Sequence, residues 1–362
     1  MTMKKFKQAL SEALETAKTR FDWSNRDQKD LSALFPRYVR INLNKISLED
    51  ALEAIDKVGG MDDNVPNLLV FPTGTTADLY NNPLVSDRKL ILQDKSSCIP
   101  AAVLNPPADS IVLDACSAPG NKTSHLSAIM DGGKGGLIRA LEISPPRFKL
   151  LTQNMADQAC GNVQTFMQSF LDDQTLADFA DTEFILLDPS CSGSGIVNQM
   201  ERNLDRFDLE FQAKQPDRLK SLADFQLKCL NRSMEFPNVK KIVYSTCSIH
   251  REENEDVVEK ALMANPHFDL CTFPSSFHSL PGYDPKGMLR MDPTRDKTNG
   301  FFVALFIRNG RERVLQRDDI TIDVVTVKKE REVAAQIESR DQRKKKKKQR
   351  SRSVPVTQVK KQ

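Results

Sequence analysis

Two cysteines and an aspartate stand directly after short apolar runs, at positions suited to covalent chemistry. Asp188 and Cys191 follow the run at residues 184–187, and Cys247 follows the run Ile242–Tyr244. Short apolar runs bounded by Pro, Ser and Gly are typical of buried parallel strands. Because ligands bind beyond the carboxyl ends of such strands, both thiols and the carboxylate are predicted to share one sheet edge. A thiolate beside an acid suits nucleophilic catalysis.

A loop of small residues forms a second candidate site. It follows the run Ile111–Leu113 and contains Cys116, Ser117, Ala118, Pro119, Gly120, Asn121 and Lys122. Small residues let the backbone approach a ligand closely, and the following helix N-terminus favours negative charge. Glu142 stands 22 residues after Gly120, where an acid can bind a nucleotide ribose, and Arg147 lies one turn further on. The loop lacks GxGxxG and GxxxxGK[ST], so an adenosine without phosphates, as in S-adenosylmethionine, fits better. The alternative for either piece alone is an ordinary strand-to-helix turn or a surface acid.

Apolar periodicity predicts the strands that must position these groups: Ile111–Leu113, Leu137–Leu141, Val163–Phe166, Phe184–Leu187, Ile242–Tyr244 and a late strand over residues 300–307. They alternate with helical segments, one of them after Pro216, which indicates a parallel βαβ sheet. A helical pattern over residues 1–35, a strand around Tyr38 and a helix beginning near Ser47 precede this sheet. The predicted organisation is a helical segment with a small α/β unit at 1–94, a main domain at 95–310 and a tail at 311–362.

Length and cysteine usage favour an intracellular globular protein. The 362 residues suffice for one large core and a smaller unit. No apolar run approaches the roughly 18 residues of a membrane span, and no signal peptide is visible. The seven cysteines are therefore expected to be reduced thiols. The four histidines lack metal-ligand spacing, so no metal site is expected.

The net charge of +3 hides a basic tail. Residues 311–362 contain 17 Lys and Arg against 8 Asp and Glu, and the densest block is residues 343–352. Such a block cannot bury itself and is expected to be disordered. It would serve as a nuclear or nucleolar localisation signal or as a segment that binds phosphate groups. The alternative is a solvated tail that only aids solubility.

Taken together, these segments resemble the NOP2/Sun family of RNA cytosine-5 methyltransferases over about residues 36–307. The motifs that carry the resemblance are Arg37–Asn42, Gln93–Ser97, Asp114–Thr123, Asp188–Gly195, Tyr244–Ser248 and Glu252–Glu255. The resemblance implies an α/β fold, with a Rossmann-like class I methyltransferase sheet and a smaller N-terminal α/β RNA-binding unit. It also implies S-adenosyl-L-methionine as the cofactor.

Roles follow from the resemblance for residues at matching positions. Cys247 is implied as the nucleophile that adds to carbon 6 of cytosine, Cys191 as an aid to release of the adduct, and Asp188 as a neighbour of the target base. The implied cofactor contacts are the Cys116–Lys122 loop, Glu142, Arg147 and Asp188. Related DNA cytosine methyltransferases use the fourth-strand cysteine as nucleophile, so the reverse assignment of the two thiols is an open alternative.

Three departures from the family pattern are visible. A serine, Ser190, stands directly before Cys191, and Asn121 replaces a more usual glycine. Both features resemble the branch that methylates large-subunit ribosomal RNA, whose members also tend to have a longer helical region before Tyr38. Many family members place an aspartate against the adenine amino group. Here Ser169 stands at that position, with two acids, at 172 and 173, just beyond it.

The function implied is methylation of carbon 5 of a cytosine in large-subunit ribosomal RNA. The protein is expected to be a nuclear or nucleolar monomer that binds no membrane, with pre-ribosomal particles as possible partners. The alternatives are the same reaction on transfer RNA and a catalytically inactive RNA-binding scaffold. Ser190 and the tail disfavour the first, and the presence of both cysteines disfavours the second. A missing glycine fingerprint disfavours a nicotinamide oxidoreductase. Arg37, Arg40 and Lys45 are candidates for an RNA-binding surface of the N-terminal unit, and the alternative is that they are ordinary solvated residues.

Overall fold

The computed structural model describes residues 35–55, 60–73, 79, 81–131, 135–196 and 209–310. Apart from residue 35, the helical pattern predicted over residues 1–35 lies outside these ranges, as does the basic tail. The division of the chain near residues 94 and 310 therefore stays a prediction. No helix within the described ranges combines the length and the apolar character that crossing a bilayer requires.

A small antiparallel sheet comes first in the chain. Its strands are β1 (Arg37–Ile41), β2 (Gly60–Met61), β3 (Leu68–Phe71) and β4 (Leu90–Leu92), in the order β2-β3-β1-β4. Two helices accompany them, α1 (Leu48–Ala54) and α2 (Pro83–Ser86). The Ser47 hydroxyl caps α1 by accepting from the Asp50 N–H at 3.1 Å, which satisfies a backbone donor that the helix cannot pair. The strand predicted at Tyr38 and the helix predicted near Ser47 are both present.

Arg40 does not lie on an RNA-binding surface, and that expectation is wrong. It projects from the central strand β1 and is 0% exposed, with its Nε donating to Gln93 Oε1 and its Nη2 to Ser124 Oγ, at 2.9 and 2.7 Å. Burial lowers the pKa of Arg40 to about 10, so it remains charged at neutral pH. Lys45 is exposed but donates to the carbonyls of Asp87 and Asp157. The alternation of polar and apolar residues along β1 does not reveal that the face containing Arg40 packs against the larger part of the molecule.

Within the described residues, the larger sheet contains nine strands: β5 (Ile111–Asp114), β6 (Leu137–Leu141), β7 (Val163–Phe166), β8 (Phe184–Leu187), β9 (Lys241–Thr246), β10 (Phe268–Leu270), β11 (Tyr283–Asp284), β12 (Met288–Met291) and β13 (Phe301–Arg308). Their order is β11-β12-β13-β9-β8-β5-β6-β7, and β10 pairs with β13. Strands β5 to β9 are mutually parallel, whereas β10 to β13 are antiparallel additions. This arrangement confirms the expected Rossmann-like sheet, and all six predicted strands are present.

Helices cover both faces of this sheet: α3 (Lys95–Leu104), α4 (Asn121–Ile129), α5 (Pro145–Asp157), α6 (Asp173–Asp178), α7 (Leu209–Glu235), α8 (Glu255–Ala264) and α9 (Pro293–Asp296). Helices α3 and α4 contribute to an apolar core on one face, and α7 and α8 to the core on the other. Nine of the ten residues of α3 are buried, so its sequence lacks the polar stripe that marks a surface helix.

The chain reverses its direction of travel across the sheet at β5. From β5 it proceeds to β6 and β7 on one side, and it then returns to β8 and β9 on the other. At such a switch point the loops beyond the carboxyl ends of neighbouring strands separate and leave a crevice. The loops after β5, β6, β7, β8 and β9 therefore converge at one edge, and every candidate site residue belongs to this edge.

Candidate active site

A cavity of about 460 Å³ opens at this edge of the sheet. Its lining comes from the loops after β5 to β9 and from α7: Ala115, Cys116, Ala118, Leu141, Glu142, Ile143, Arg147, Gln168, Ser169, Phe170, Leu171, Asp188, Pro189, Ser190, Cys191, Ser192, Gly193, Ile196, Arg218, Phe225, Cys229 and Cys247. One end contains the two cysteines and the other contains Glu142. A cavity of this size falls in the range of small-molecule sites.

The two cysteines are in direct contact. Cys247 follows β9 and Cys191 lies in the loop after β8, and their Sγ atoms are 3.1 Å apart. Both are free thiols and both are partly exposed, whereas Cys98, Cys160 and Cys229 are buried. Neighbouring parallel strands explain the meeting, because β8 and β9 pair directly.

An ion pair lies beside the thiols. The Lys122 ammonium is 2.6 Å from Asp188 Oδ2, and the Ser245 hydroxyl donates to Asp188 Oδ1 at 2.7 Å. Lys122 comes from the first turn of α4 and Ser245 from β9, so two elements fix the carboxylate that follows β8. Both oxygens of Asp188 thus have a partner, and the side chain still lines the cavity.

Charge distribution distinguishes the two thiols. The hydrogen bond with Cys191 lowers the pKa of the Cys247 thiol, and the nearby Lys122 ammonium acts in the same direction against burial. The same hydrogen bond, together with burial, raises the pKa of Cys191. Although burial opposes its charge, the ion pair with Asp188 raises the pKa of Lys122. The site therefore favours a thiolate at Cys247 beside a protonated thiol at Cys191.

Asp114 lies behind this group, at the end of β5. It is fully buried, Thr123 Oγ1 donates to its Oδ2 at 2.7 Å, and its Oδ1 has no hydrogen-bond partner among the described residues. Burial raises the pKa of Asp114 to about 6, and the charge of Asp188 acts in the same direction. The sequence predicted a loop after this strand, but it did not predict that the Asp114 carboxyl group is fully buried.

Only part of the predicted cofactor loop reaches the cavity. Cys116 and Ala118 line it and Lys122 contacts Asp188, but Ser117, Pro119, Gly120 and Asn121 are not among the described lining residues. A side chain of α5 stabilises the turn in this loop, because Arg147 Nη2 donates to the Ala118 carbonyl at 2.7 Å. Gly120 has φ of +108°, and a Cβ there would lie 2.5 Å from the Met155 methyl carbon. Its role is therefore to shape the turn.

Glu142 occupies the other end of the cavity. It is 6% exposed, and its Oε1 accepts from the Ser144 N–H at 2.8 Å. Arg147 Nη1 lies 3.4 Å from Oε2, and this guanidinium side chain is 52% exposed. The carboxylate therefore keeps free acceptor capacity on the cavity side, which suits a pair of ligand hydroxyls.

The loop after β7 closes the side of the cavity. Gln168, Ser169, Phe170 and Leu171 line it. The Ser169 hydroxyl accepts from the Leu171 N–H at 3.2 Å, so this side chain shapes a local turn. Neither Asp172 nor Asp173 is among the lining residues, and Asp173 pairs instead with Arg232 on α7. The two acids are therefore not positioned to replace the missing aspartate.

Sequence reasoning missed the side chains around Cys191. Gln226 on α7 and Glu253 after β9 are both 0% exposed, and both bind the loop that carries this cysteine. In the sequence, Gln226 was visible only as a member of an apolar helix face. Glu253 was visible only as a member of the Glu252–Glu255 motif. Within the described part of the chain, no cluster of His, Cys, Asp or Glu is arranged to hold a metal ion.

Comparison with known proteins identifies related sequences. Residues 101–307 match the family model described as 16S rRNA methyltransferase RsmB/F. The 25S rRNA (cytosine-C(5))-methyltransferase NSUN5 of Arabidopsis thaliana is 40% identical over 322 residues, covering 83% of this chain and 55% of that protein. The 28S rRNA (cytosine-C(5))-methyltransferase of Mus musculus is 37% identical over 311 residues, covering 75% and 62%. The chain thus spans little more than half of the length of these relatives.

A solved structure shows the same fold. NSun6 from Pyrococcus horikoshii, crystallised with SFG, superposes with a TM-score of 0.62 at 19% identity. The match covers 76% of this chain and 91% of that one. At this level of identity the likeness extends to the fold alone.

Proposed function

The chain belongs to the RsmB/F family of rRNA methyltransferases, and from this premise we propose that it methylates carbon 5 of a cytosine in large-subunit ribosomal RNA. The observation that carries the proposal is the pair Cys191 and Cys247, in contact beside the Lys122–Asp188 ion pair and within one cavity. The 25S and 28S rRNA specificity in the names of the two relatives supports the substrate class.

Carbon 5 of cytosine is too weak a nucleophile to be methylated directly. In the proposed reaction the Cys247 thiolate forms a bond to carbon 6, which makes carbon 5 nucleophilic. The addition displaces an electron pair onto ring nitrogen 3, which accepts a hydrogen bond from the proton shared by Lys122 and Asp188. After methyl transfer the proton on carbon 5 passes to a water molecule, and its bonding electrons re-form the double bond between carbons 5 and 6. The bond between sulfur and carbon 6 breaks at the same time, so that Cys247 returns to the thiolate. Cys191, in contact with Cys247, assists this release.

S-adenosylmethionine, when bound, supplies the methyl group on a sulfonium centre. We propose that Glu142 binds the ribose hydroxyls, with the loop from Cys116 to Lys122, Arg147 and Asp188 completing the site. The free acceptor capacity of Glu142 and the size of the cavity support this fit. SFG, an analogue of S-adenosylmethionine, in the NSun6 structure further supports it.

The target base has to leave its stack, or be unpaired, before Cys247 can reach carbon 6. We propose that the small sheet holds RNA near the cavity and that the basic block at residues 343–352 directs nucleolar accumulation. A truncation after Ile337 should lose nucleolar localisation and keep turnover on short RNA. A truncated protein that still concentrates in the nucleolus would contradict the proposed role in localisation. Loss of most turnover would assign substrate binding to the tail.

One experiment tests the proposed substrate. The full chain is incubated with methyl-labelled S-adenosylmethionine and total RNA, and the label is then size-fractionated. Label in large ribosomal RNA, absent with Cys247→Ala, supports the proposal. Label in transfer RNA, or no label in any RNA, overturns it. Bisulfite sequencing of ribosomal RNA from cells with and without the protein then identifies the modified cytosine.

A further inference from the structure

The peptide that carries Cys191 is held on both sides by two buried polar side chains. Gln226 Nε2 donates to the carbonyl of Ser190, and the N–H of Ser192 donates to Glu253 Oε1, at 3.0 and 2.8 Å. Ser190 and Ser192 are the immediate neighbours of Cys191 in the chain. The backbone just before and just after this one cysteine is therefore fixed by side chains from distant parts of the sequence.

The two side chains are also joined to each other. Gln226 Nε2 donates to Glu253 Oε1 at 3.0 Å, so the amide bridges the Ser190 carbonyl and the carboxyl group. The Ser192 hydroxyl donates to Glu253 Oε2 at 2.5 Å. From the strand β9, the Tyr244 hydroxyl donates to the backbone carbonyl of Glu253 at 2.5 Å. The result is a closed chain of hydrogen bonds in which both oxygens of the Glu253 carboxyl group accept.

Burial makes this arrangement stiff. Gln226, Glu253 and Tyr244 are each 0% exposed, and they come from α7, from the turn after β9 and from β9 itself. Buried hydrogen bonds of this kind are strong when complete and costly when one partner is removed. A second anchor lies further along the loop, where the Gly195 N–H donates to the carbonyl of Cys247 at 2.9 Å. A Cβ at Gly195 would lie 2.0 Å from the Gly300 carbonyl oxygen, so the loop packs closely there.

We propose that Gln226 and Glu253 are positioning residues that form a clamp, defined as this pair with Ser190 and Ser192, and that the clamp holds Cys191 against Cys247 for release of the RNA adduct. The inference rests on the proposed function for the adduct, but the clamp itself is a property of the loop. Cys247 does not depend on it in the same way, because β9 pairs with β8 and β13 along its length.

The clamp makes a specific kinetic prediction. Loss of Glu253 should slow release more than it slows attack, because Cys191 loses its support whereas the Lys122 ammonium still favours the Cys247 thiolate. Glu253→Ala should therefore reduce turnover by about tenfold to 100-fold, the range expected for displacement of a reacting group by about 1 Å. A protein–RNA species resistant to denaturant should accumulate, as with Cys191→Ala. Glu253→Gln keeps the acceptor for the Ser192 N–H and should restore most of the turnover.

Matched controls separate positioning from a general loss of structure. Glu252 is the exposed neighbour of Glu253, so Glu252→Ala should leave turnover and adduct level unchanged. Gln226→Ala removes the other half of the clamp and should reproduce the Glu253→Ala adduct, which keeps the proposal falsifiable if Glu253→Ala does not fold. A variant that lowers turnover without accumulating adduct, at unchanged single-turnover methyl transfer, would contradict the clamp.

A second readout does not depend on RNA. Hydrogen exchange on the full chain reports the amide of Ser192, which should exchange at least about tenfold faster in Glu253→Ala than in the wild-type protein or Glu252→Ala. Unchanged exchange would overturn the clamp even if methylation is lost. Wild-type protein that methylates no RNA, with exchange at Ser192 still faster in Glu253→Ala, would instead count against the proposed function and leave the clamp supported.

Discussion

The two ends of the cavity are built in different ways. The thiol end, formed by Cys191, Cys247, Lys122 and Asp188, is fixed by short hydrogen bonds and an ion pair among largely buried groups. The acid end, formed by Glu142, Arg147 and the Ala118 carbonyl, is more open, with Arg147 52% exposed and the neighbouring Ile143 67% exposed. Bond-making chemistry needs atoms held within fractions of an ångström, whereas reversible binding of a small molecule needs room for entry.

The largest expected effect lies at the thiol end. Cys247→Ala removes the proposed nucleophile, so methyl transfer should fall by at least about 10³-fold and no covalent adduct should form. Cys191→Ala leaves the nucleophile in place and should accumulate a protein–RNA adduct that resists denaturant. Denaturing gel electrophoresis with labelled RNA measures both. A stable adduct in Cys247→Ala and none in Cys191→Ala would mean that the two roles are reversed.

Lys122 should have the next largest effect. Lys122→Met removes the cation that favours the Cys247 thiolate, so the pKa of this thiol should rise and its alkylation should require higher pH. Turnover at neutral pH should fall on the order of 100-fold, because Asp188 also loses its ion-pair partner. Lys149→Met, at an exposed position on α5, is the matched control and should leave the alkylation profile unchanged. A profile that does not move would remove Lys122 from the activation of Cys247.

Asp114 is predicted to make the free energy of unfolding depend on pH. Its folded pKa of about 6 lies above the ordinary value of 3.8, so folding favours the protonated form. This contribution is complete below the unfolded pKa, and it is lost as pH rises through the folded value. Between pH 4.5 and 7.5 the loss should be on the order of 2 kcal/mol. Asp114→Asn should therefore gain stability relative to wild type as pH rises, as measured by urea unfolding, whereas Asp109→Asn, at an exposed site, should not.

The sequence predicted most of what local pattern controls. Six of the nine described strands of the main sheet and the turn after β5 could be predicted, because runs of adjacent residues determine them. The short strands β10, β11 and β12 were not predicted. Helix α3 was missed because nine of its ten residues are buried and no amphipathic period remains. Arg40 and the clamp residues were not predictable, because their environments depend on partners that are distant in sequence. Long-range hydrogen bonding leaves no periodic signal.

The smallest expected effects lie at the acid end, and they test whether Glu142 or Arg147 organises it. Glu142→Ala should weaken binding of S-adenosylmethionine by about 1–3 kcal/mol, the range for loss of charge-assisted hydrogen bonds. Arg147→Ala should cost less than about 1 kcal/mol, because an exposed guanidinium at 3.4 Å from a carboxylate is well screened. Calorimetry on the full chain measures both. Unchanged affinity in Glu142→Ala would remove this acid from the site, and a larger loss in Arg147→Ala would mean that the guanidinium organises this end by fixing the Ala118 turn.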